Sequence, residues 1–584
     1  MNADICHPEL RRDLIFPSLK GAVKPVGRNP RYAFSVLPDL TLTLHPLAKY
    51  PGPFLAKITS LYSAYRAWHG DIHLDIVRCH SKYGVFVRYG PDRLMVNTSR
   101  GLHDVYGYGK NVRKSKSYLS MVPDKHAWSI LTLIDKKTHL ERRKVMSKAL
   151  SDTALKGFEP AMLSHMDVFH QQVAVAEDSE GWSAPKDMSV LCMRLTFDIM
   201  CEFGFGQKTS LQTDRTLDFI PEVLKNYSWR MGIYEQYPKL ARLNAEGFAR
   251  ILRIGNDMRD KFEEWSDSFS EVVMNRQDGL PKGQFGLIRD LETSDGSFLP
   301  HEELLAEGSF LILAGSETTA ITMSALFFYL ANNRRTYDKL ASEIRSTFSD
   351  ISEVTSGEKL LSCSYLSACV TETLRICPPV PSIPWREVED GGAIVDNHYI
   401  PTGLNVGASM YSLHHNETYF PSPYKFDPSR WLDSKGSEKQ KALAYTAFNP
   451  FSLGPRGCAG RSMALLELNL LVARTLFCFD FRLASGRLAT VGRGHSDKRG
   501  LRSREDEFQL FANITSYCEG PWIVFKRREV AESLNYELGA VSGIAGQVII
   551  VILDRPTRIS DSPFPPNIFM EALASITTTT LASL

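Results

Sequence analysis

Between Pro300 and Asn333 the chain runs without a proline through leucine, alanine, phenylalanine and methionine. That pattern predicts one long helix of about 30 residues, with Pro300 at its first turn, where a missing N–H is no loss. Polar residues interrupt it once, at Ala314-Gly315-Ser316-Glu317-Thr318-Thr319. A helix-interior glycine costs about 1 kcal/mol relative to alanine, and an acid with two threonines adds polar burial, so this segment breaks local rules as functional segments do. A second helix is predicted from Cys363 up to the double proline Pro378-Pro379, with Glu372 and Arg375 three apart on one face. A third covers Asp135 to Lys144, where His139 and Arg143 are four apart and share a face. Two further apolar stretches, Ala33 to Leu47 and Leu538 to Leu553, are shorter than the roughly 20 residues of a membrane span. The first is interrupted by Pro38 and the second holds three glycines and Gln547. Thr577 to Thr580 and the prolines at 556, 563, 565 and 566 read as a disordered end. No internal repeat is present.

The 584 residues are 43% hydrophobic, enough for a sizeable core, and length alone suggests several domains. A net charge of +2 argues against nucleic acid as a partner. Ten cysteines are scattered without zinc-type C-x-x-C pairs, which fits free thiols in a reducing compartment and makes matches such as Asn416-Glu-Thr418 uninformative as glycosylation sites.

One cysteine stands apart. Phe451-Ser-Leu-Gly454-Pro-Arg456-Gly-Cys458-Ala-Gly460 places Cys458 in a tight glycine-rich loop, with an arginine two residues before it and a helix-like run after it. Backbone N–H groups feeding a helix N-terminus stabilise a thiolate, and Gly454 and Gly460 are expected where a side chain would strike a flat cofactor or where φ must be positive. The string fits F-x-x-G-x-R-x-C-x-G throughout and resembles the haem-binding loop of the cytochromes P-450. The resemblance implies that Cys458 is the axial iron ligand, that Phe451 packs near the thiolate, and that Arg456 meets a haem propionate.

Further segments carry the same resemblance. Ala314 to Thr319 is similar to the family's A/G-G-x-D/E-T-T signature, which implies Glu317 as relay acid and Thr318 as the hydroxyl beside dioxygen. Glu372-Thr-Leu-Arg375 resembles the E-x-x-R helix, and Phe426-Asp-Pro428-Ser-Arg430-Trp431 the segment whose arginine joins it. Glu372, Arg375 and Arg430 are accordingly expected to form a buried structural network. The helix with His139 and Arg143 corresponds to one that carries W-x-x-x-R toward the propionates, His139 standing for the tryptophan; Arg386 is a further propionate candidate. Lys136, Lys137, Arg142, Lys144 and Lys148 on that helix are expected to form a basic docking patch for an electron donor.

The resemblance spans residues 45–528, beginning at the proline-rich His45-Pro-Leu-Ala-Lys-Tyr-Pro51-Gly-Pro53. It implies a mainly α cytochrome P-450 fold with a small β-rich lobe. An atypical segment 1–44 without a clear membrane span would precede it, and an additional tail 529–584, largely disordered, would follow. The implied activity is NADPH- and O2-dependent monooxygenation of an apolar small molecule by haem b, with electrons from NADPH-cytochrome P-450 reductase and cytochrome b5 as a second donor. The implied setting is fungal secondary metabolism at the cytoplasmic face of the endoplasmic reticulum, with a membrane surface as a further partner. Two alternatives stand beside it: a reductase-independent haem-thiolate isomerase or dehydratase, and a non-catalytic haem-binding protein. The segments Ser115 to Pro123, Phe219 to Tyr237 and Val380 to Ile383 are expected to line the substrate pocket, and they do not name the substrate.

Overall fold

A computed structural model describes residues 40–122, 127–243, 299–432, 438–498 and 500–529. The chain divides into Met1–Ala48 and Lys49–Leu584. In the first unit the described residues hold one short π-helical turn, Leu40–Leu44. Most of the expected tail lies outside the described residues, as does Pro123.

The second unit is mainly helical. Its principal helices are α1 (Lys136–Ala149), α2 (Met188–Phe205), α3 (Ile220–Gln236), α4 (His301–Asn332), α5 (Ser364–Ile376) and α6 (Arg461–Cys478). The apolar run is α4, capped by Pro300, with Glu302 and Glu303 in the first turn, where acids complement the helix dipole. Its length and composition suit a membrane span, yet it runs through the core: Met323, Ala325, Leu326, Phe328 and Leu330 are fully buried. The main core joins α2, α4, α5 and α6. Gly315 permits the close approach of α2 to α4, since a Cβ there would sit 2.3 Å from Met200 Sδ. Thr196 Oγ1 on α2 donates to Ser316 O on α4 at 3.0 Å. The glycine of the signature therefore serves helix packing, and α4 stays helical through it.

The larger sheet has five strands: β1 (Phe86–Arg88), β2 (Arg93–Val96), β3 (Val112–Lys114), β4 (Arg386–Val388) and β5 (Asn405–Gly407), in the order β1-β2-β5-β4-β3. All neighbours are antiparallel except β2 with β5. A hairpin of β6 (Phe511–Ala512) and β7 (Ser516–Tyr517) brings the tip Asn513-Ile514-Thr515 onto α3. Gly232 makes room for it, because a Cβ there would stand 2.9 Å from Asn513 C and 3.0 Å from Ile514 N.

Candidate active site

Cys458 is the one exposed cysteine among the described residues. Its backbone N–H donates to Phe451 O at 2.8 Å, closing the loop, and Gly457 N donates to Gly454 O at 3.1 Å. Gly454 has φ +68°, and a Cβ on it would lie 2.0 Å from Tyr106 O, so both conformation and space demand glycine. Gly460 differs from expectation: its φ is −84° and the nearest atom to an added Cβ is Cys458 Sγ at 3.9 Å, so no left-handed turn is needed. Surrounding protein pushes the Cys458 thiol up, while the Gly460 N–H and the Arg143 charge pull it down. The loop's dipoles only partly offset this desolvation by neighbouring protein of a side chain that is itself exposed, and a metal cation at the sulfur would favour the thiolate further. Phe451 is half-buried against the main core, under the Arg461 guanidinium.

Opposite conditions hold along β3 and β4. Arg113 faces Glu387 across the strands and donates to it at 2.7 Å. The next pair in register is Lys114 with Arg386, two buried cations directly opposed. Like charges in that position destabilise a sheet. Lys114 Nζ donates to Ile130 O at 3.2 Å and to Leu131 O, and burial first, then Arg456 and Arg386, hold it well below the usual lysine range. His139 on α1 joins this cluster. Burial, Arg456, Lys114, Arg143 and Arg386 push it down to about 3, so the ring is neutral at pH 7. None of Lys114, Arg143, Arg386 and Arg456 makes an ion pair among the described residues; Glu307, Asp135 and Glu235 act on Lys114, Arg456 and Arg386 from a distance.

Three of these guanidiniums have backbone partners. Arg456 donates to Leu133 O, Ile134 O and Asp135 O at 2.9, 3.0 and 3.3 Å. Arg143 donates to Gly457 O and, at 3.2 Å, to Cys458 O, so it clasps the cysteine loop. Arg386 donates to Pro384 O and Trp385 O, both at 3.1 Å. The basic patch needs one correction: Arg142 is buried, pairing with Glu303 and, at 3.1 Å, with Glu307 on α4. Lys136 is tied to Glu389, which leaves Lys137, Lys144 and Lys148 as exposed lysines of this patch with no ion pair among the described residues.

On α4 nearly every position from Ile312 onward is buried, but Phe310, Leu311, Ala314, Gly315 and Thr318 are only half-buried. Their spacing puts them on one helical face, where Phe310 and Leu311 pack on neighbouring core and Gly315 lies against Met200. Thr318 Oγ1 donates to Ala314 O at 2.7 Å within that stripe. Beside it Glu317 is buried and accepts from Ser228 Oγ at 2.5 Å and from Thr515 Oγ1. Burial pushes its carboxyl up to about 7, with the two hydroxyls acting in the other direction.

Away from this face, Glu372 and Arg375 on α5 are fully buried and paired through two bonds of 2.8 and 2.9 Å. Arg430 Nε donates to Glu372 at 3.0 Å, and Asp427 N and Trp431 Nε1 donate to the same carboxylate at 3.0 and 2.9 Å. Arg375 also donates to His414 O, Pro423 O and Lys425 O.

The family model for cytochrome P450 matches residues 48–490. The chain belongs to the cytochrome P450 family. It is 37% identical over 497 residues to cytochrome P450 monooxygenase AKT7 of Alternaria alternata, covering 83% of this chain and 94% of that one. It is 36% identical over 515 residues to cytochrome P450 monooxygenase apf7 of Gibberella fujikuroi, covering 84% and 95%. A solved structure, retinoic acid bound cyanobacterial CYP120A1, shares the fold with a TM-score of 0.58 at 16% identity, over 77% of this chain and 93% of that one. As a P450 the protein is a haem-thiolate oxidoreductase that uses O2 and electrons from a redox partner. The residues present fit haem: an exposed thiol in a glycine loop, a half-buried stripe on α4, and an opposed Lys114–Arg386 pair that calls for a buried anion such as a propionate.

Sequence reasoning missed Lys114, Glu307, Ser228 and Thr515. No local pattern marks them, because each acquires its role from a partner far along the chain. The strand register of Lys114 with Arg386 and the reach of Thr515 to Glu317 are tertiary facts.

Proposed function

We propose that this P450 holds haem b on the Cys458 thiolate and inserts one oxygen atom from O2 into an apolar small molecule, by hydroxylation, epoxidation or oxidative coupling. Electrons come from NADPH through NADPH-cytochrome P-450 reductase, with cytochrome b5 as a second donor, and Lys137, Lys144 and Lys148 are the docking lysines. The setting is a tailoring step of fungal secondary metabolism at the cytoplasmic face of the endoplasmic reticulum. The observation that carries the monooxygenase reading is Glu317, a buried acid titrating near 7 beside Thr318 on the half-buried stripe.

When bound, haem supplies the redox centre at which O2 is reduced and split. His139, Lys114 and Arg386 would hold its propionates, and Arg143 and Arg456 fix the loop that presents Cys458. Burial pushes the Glu317 carboxyl up to about 7, which suits a group that passes a proton and takes one back. Thr318 presents its hydroxyl from the stripe, with its own proton anchored on Ala314 O. Phe310, Leu311 and Ala314 make the same face apolar, the first two packing on the core beside it.

Replacing Thr318 by alanine should leave haem content intact, slow product formation on the order of a hundredfold and divert NADPH into hydrogen peroxide. Product and peroxide per NADPH, measured with reductase on any apolar substrate it turns over, check this. Unchanged coupling, or turnover of a hydroperoxide without reductase, would favour the isomerase.

A further inference from the structure

Among the described residues no cation pairs with Glu317. Its partners are two neutral hydroxyls from two other segments, Ser228 Oγ on α3 and Thr515 Oγ1 in the β6–β7 tip, and these lie 3.2 Å from each other. The tip is fixed to α3 by its backbone as well, since Ile514 N donates to Ser228 O at 3.3 Å. One turn further along α3, Gly232 leaves the space in which the tip's backbone lies. Three segments distant in sequence therefore converge on one carboxyl group, and the contact depends on a missing side chain.

We propose that Ser228 and Thr515 are positioning residues that aim the Glu317 carboxyl and set its proton affinity, so that the acid is poised only while α3 and the hairpin tip are both seated on α4. This rests on the reading of Glu317 as proton donor. The two hydroxyls donate to the ionised form and favour it, whereas burial favours the neutral form; their balance places the group near neutrality. The ionisable groups on the packed elements are Cys192, Arg194, Asp198, Cys201 and Glu202 on α2, Glu222, Lys225, Tyr227, Arg230, Tyr234 and Glu235 on α3, His301, Glu302, Glu303, Glu307 and Tyr329 on α4 itself, and Tyr517 with Cys518 beside the tip. None of them contributes to its shift, which comes from burial and the two hydroxyls. Loss of the hydroxyls would leave burial unopposed and lock Glu317 in its protonated form.

The test is an infrared titration of the ferric holoenzyme. The Glu317 carboxylic C=O stretch is assigned by its loss in Glu317→Gln and followed against pH. Ser228→Ala and Thr515→Val should each move half-protonation upward, by about one pH unit. Thr515→Ser should restore it, a rescue that a merely structural role would not give. If the Ser228→Ala/Thr515→Val enzyme titrates with wild type, the positioning role is overturned. A separate arm measures NADPH oxidation with reductase, without added substrate, in H2O and D2O. Glu317→Gln should change the solvent isotope effect. If it does not, the proton-donor reading falls, and with it the purpose of the arrangement, whatever the titration shows.

Discussion

Two buried groups of charge in this P450 are built on opposite terms. Around Glu372 each charge is answered: the carboxylate receives Arg375, Arg430, Trp431 and the Asp427 N–H, and the remaining Arg375 donors end on carbonyls. Around Lys114 the opposite holds, with a second cation directly across the strand, Arg456 near by and a histidine forced neutral. The first cluster is complete as protein. The second is complete only with an anion, which distinguishes a structural network from a binding site without reference to any motif.

The comparison can be broken in three ways. Glu372→Ala strands Arg375 as an uncompensated buried charge and should cost about 3–5 kcal/mol, read as a fall in denaturation midpoint and in soluble holoprotein. A well-folded variant with full haem would erase the distinction. Lys114→Met should act in the reverse sense, stabilising the haem-free protein by up to about 1 kcal/mol because it removes a like-charge pair, while haem is lost more readily. Urea unfolding of the apoprotein and haem transfer to apomyoglobin measure the two effects, and a variant that retains haem like wild type would remove Lys114 from the site. The smallest effect is one of pH. His139 is held at about 3 against an ordinary 6.5, so between those values the unfolded chain binds a proton that the native protein refuses. Apoprotein stability should therefore fall as pH drops below about 6.5, and this component should vanish in His139→Gln. Bound propionates should flatten the slope by making the imidazolium tolerable. Equal slopes in variant and wild type would show that the cluster does not govern His139.

Much of this could be read from the chain beforehand, and the parts that could not share a physical reason. The long α4, the α5 helix stopped by Pro378 and the Cys458 loop depend on local propensity and on residues close in sequence, so their patterns are visible there. Glu372 with Arg375 was legible as a helical pair, while Trp431 and the Asp427 N–H, which complete the carboxylate's shell, come from a distant segment. On α1 the sequence shows six lysines and arginines and cannot say which face each takes. Arg142 turns inward to Glu303 and Glu307, while Lys144 and Lys148 stay exposed. Gly315 reads as a sign of an altered helix, and its role proves to be contact with Met200, information held by α2. Ser228 and Thr515 carry no signal at all, since a hydroxyl among hydroxyls becomes distinctive only when a carboxyl group arrives beside it.

Neighbouring arginines on α1 grip different parts of the molecule. Arg142 is bonded to Glu307 on α4, and Arg143 to the carbonyl of Cys458. Adjacent residues in a helix keep a fixed backbone separation, so Glu307 on α4 and the Cys458 loop are both tied to one short stretch of α1, much as the jaws of a calliper share a frame. Both ties are made by the polypeptide alone and precede whatever it binds. Assembly should accordingly run with the chain first and haem second, and hydrogen exchange should find the α1 amides as protected in the apoprotein as in the holoenzyme.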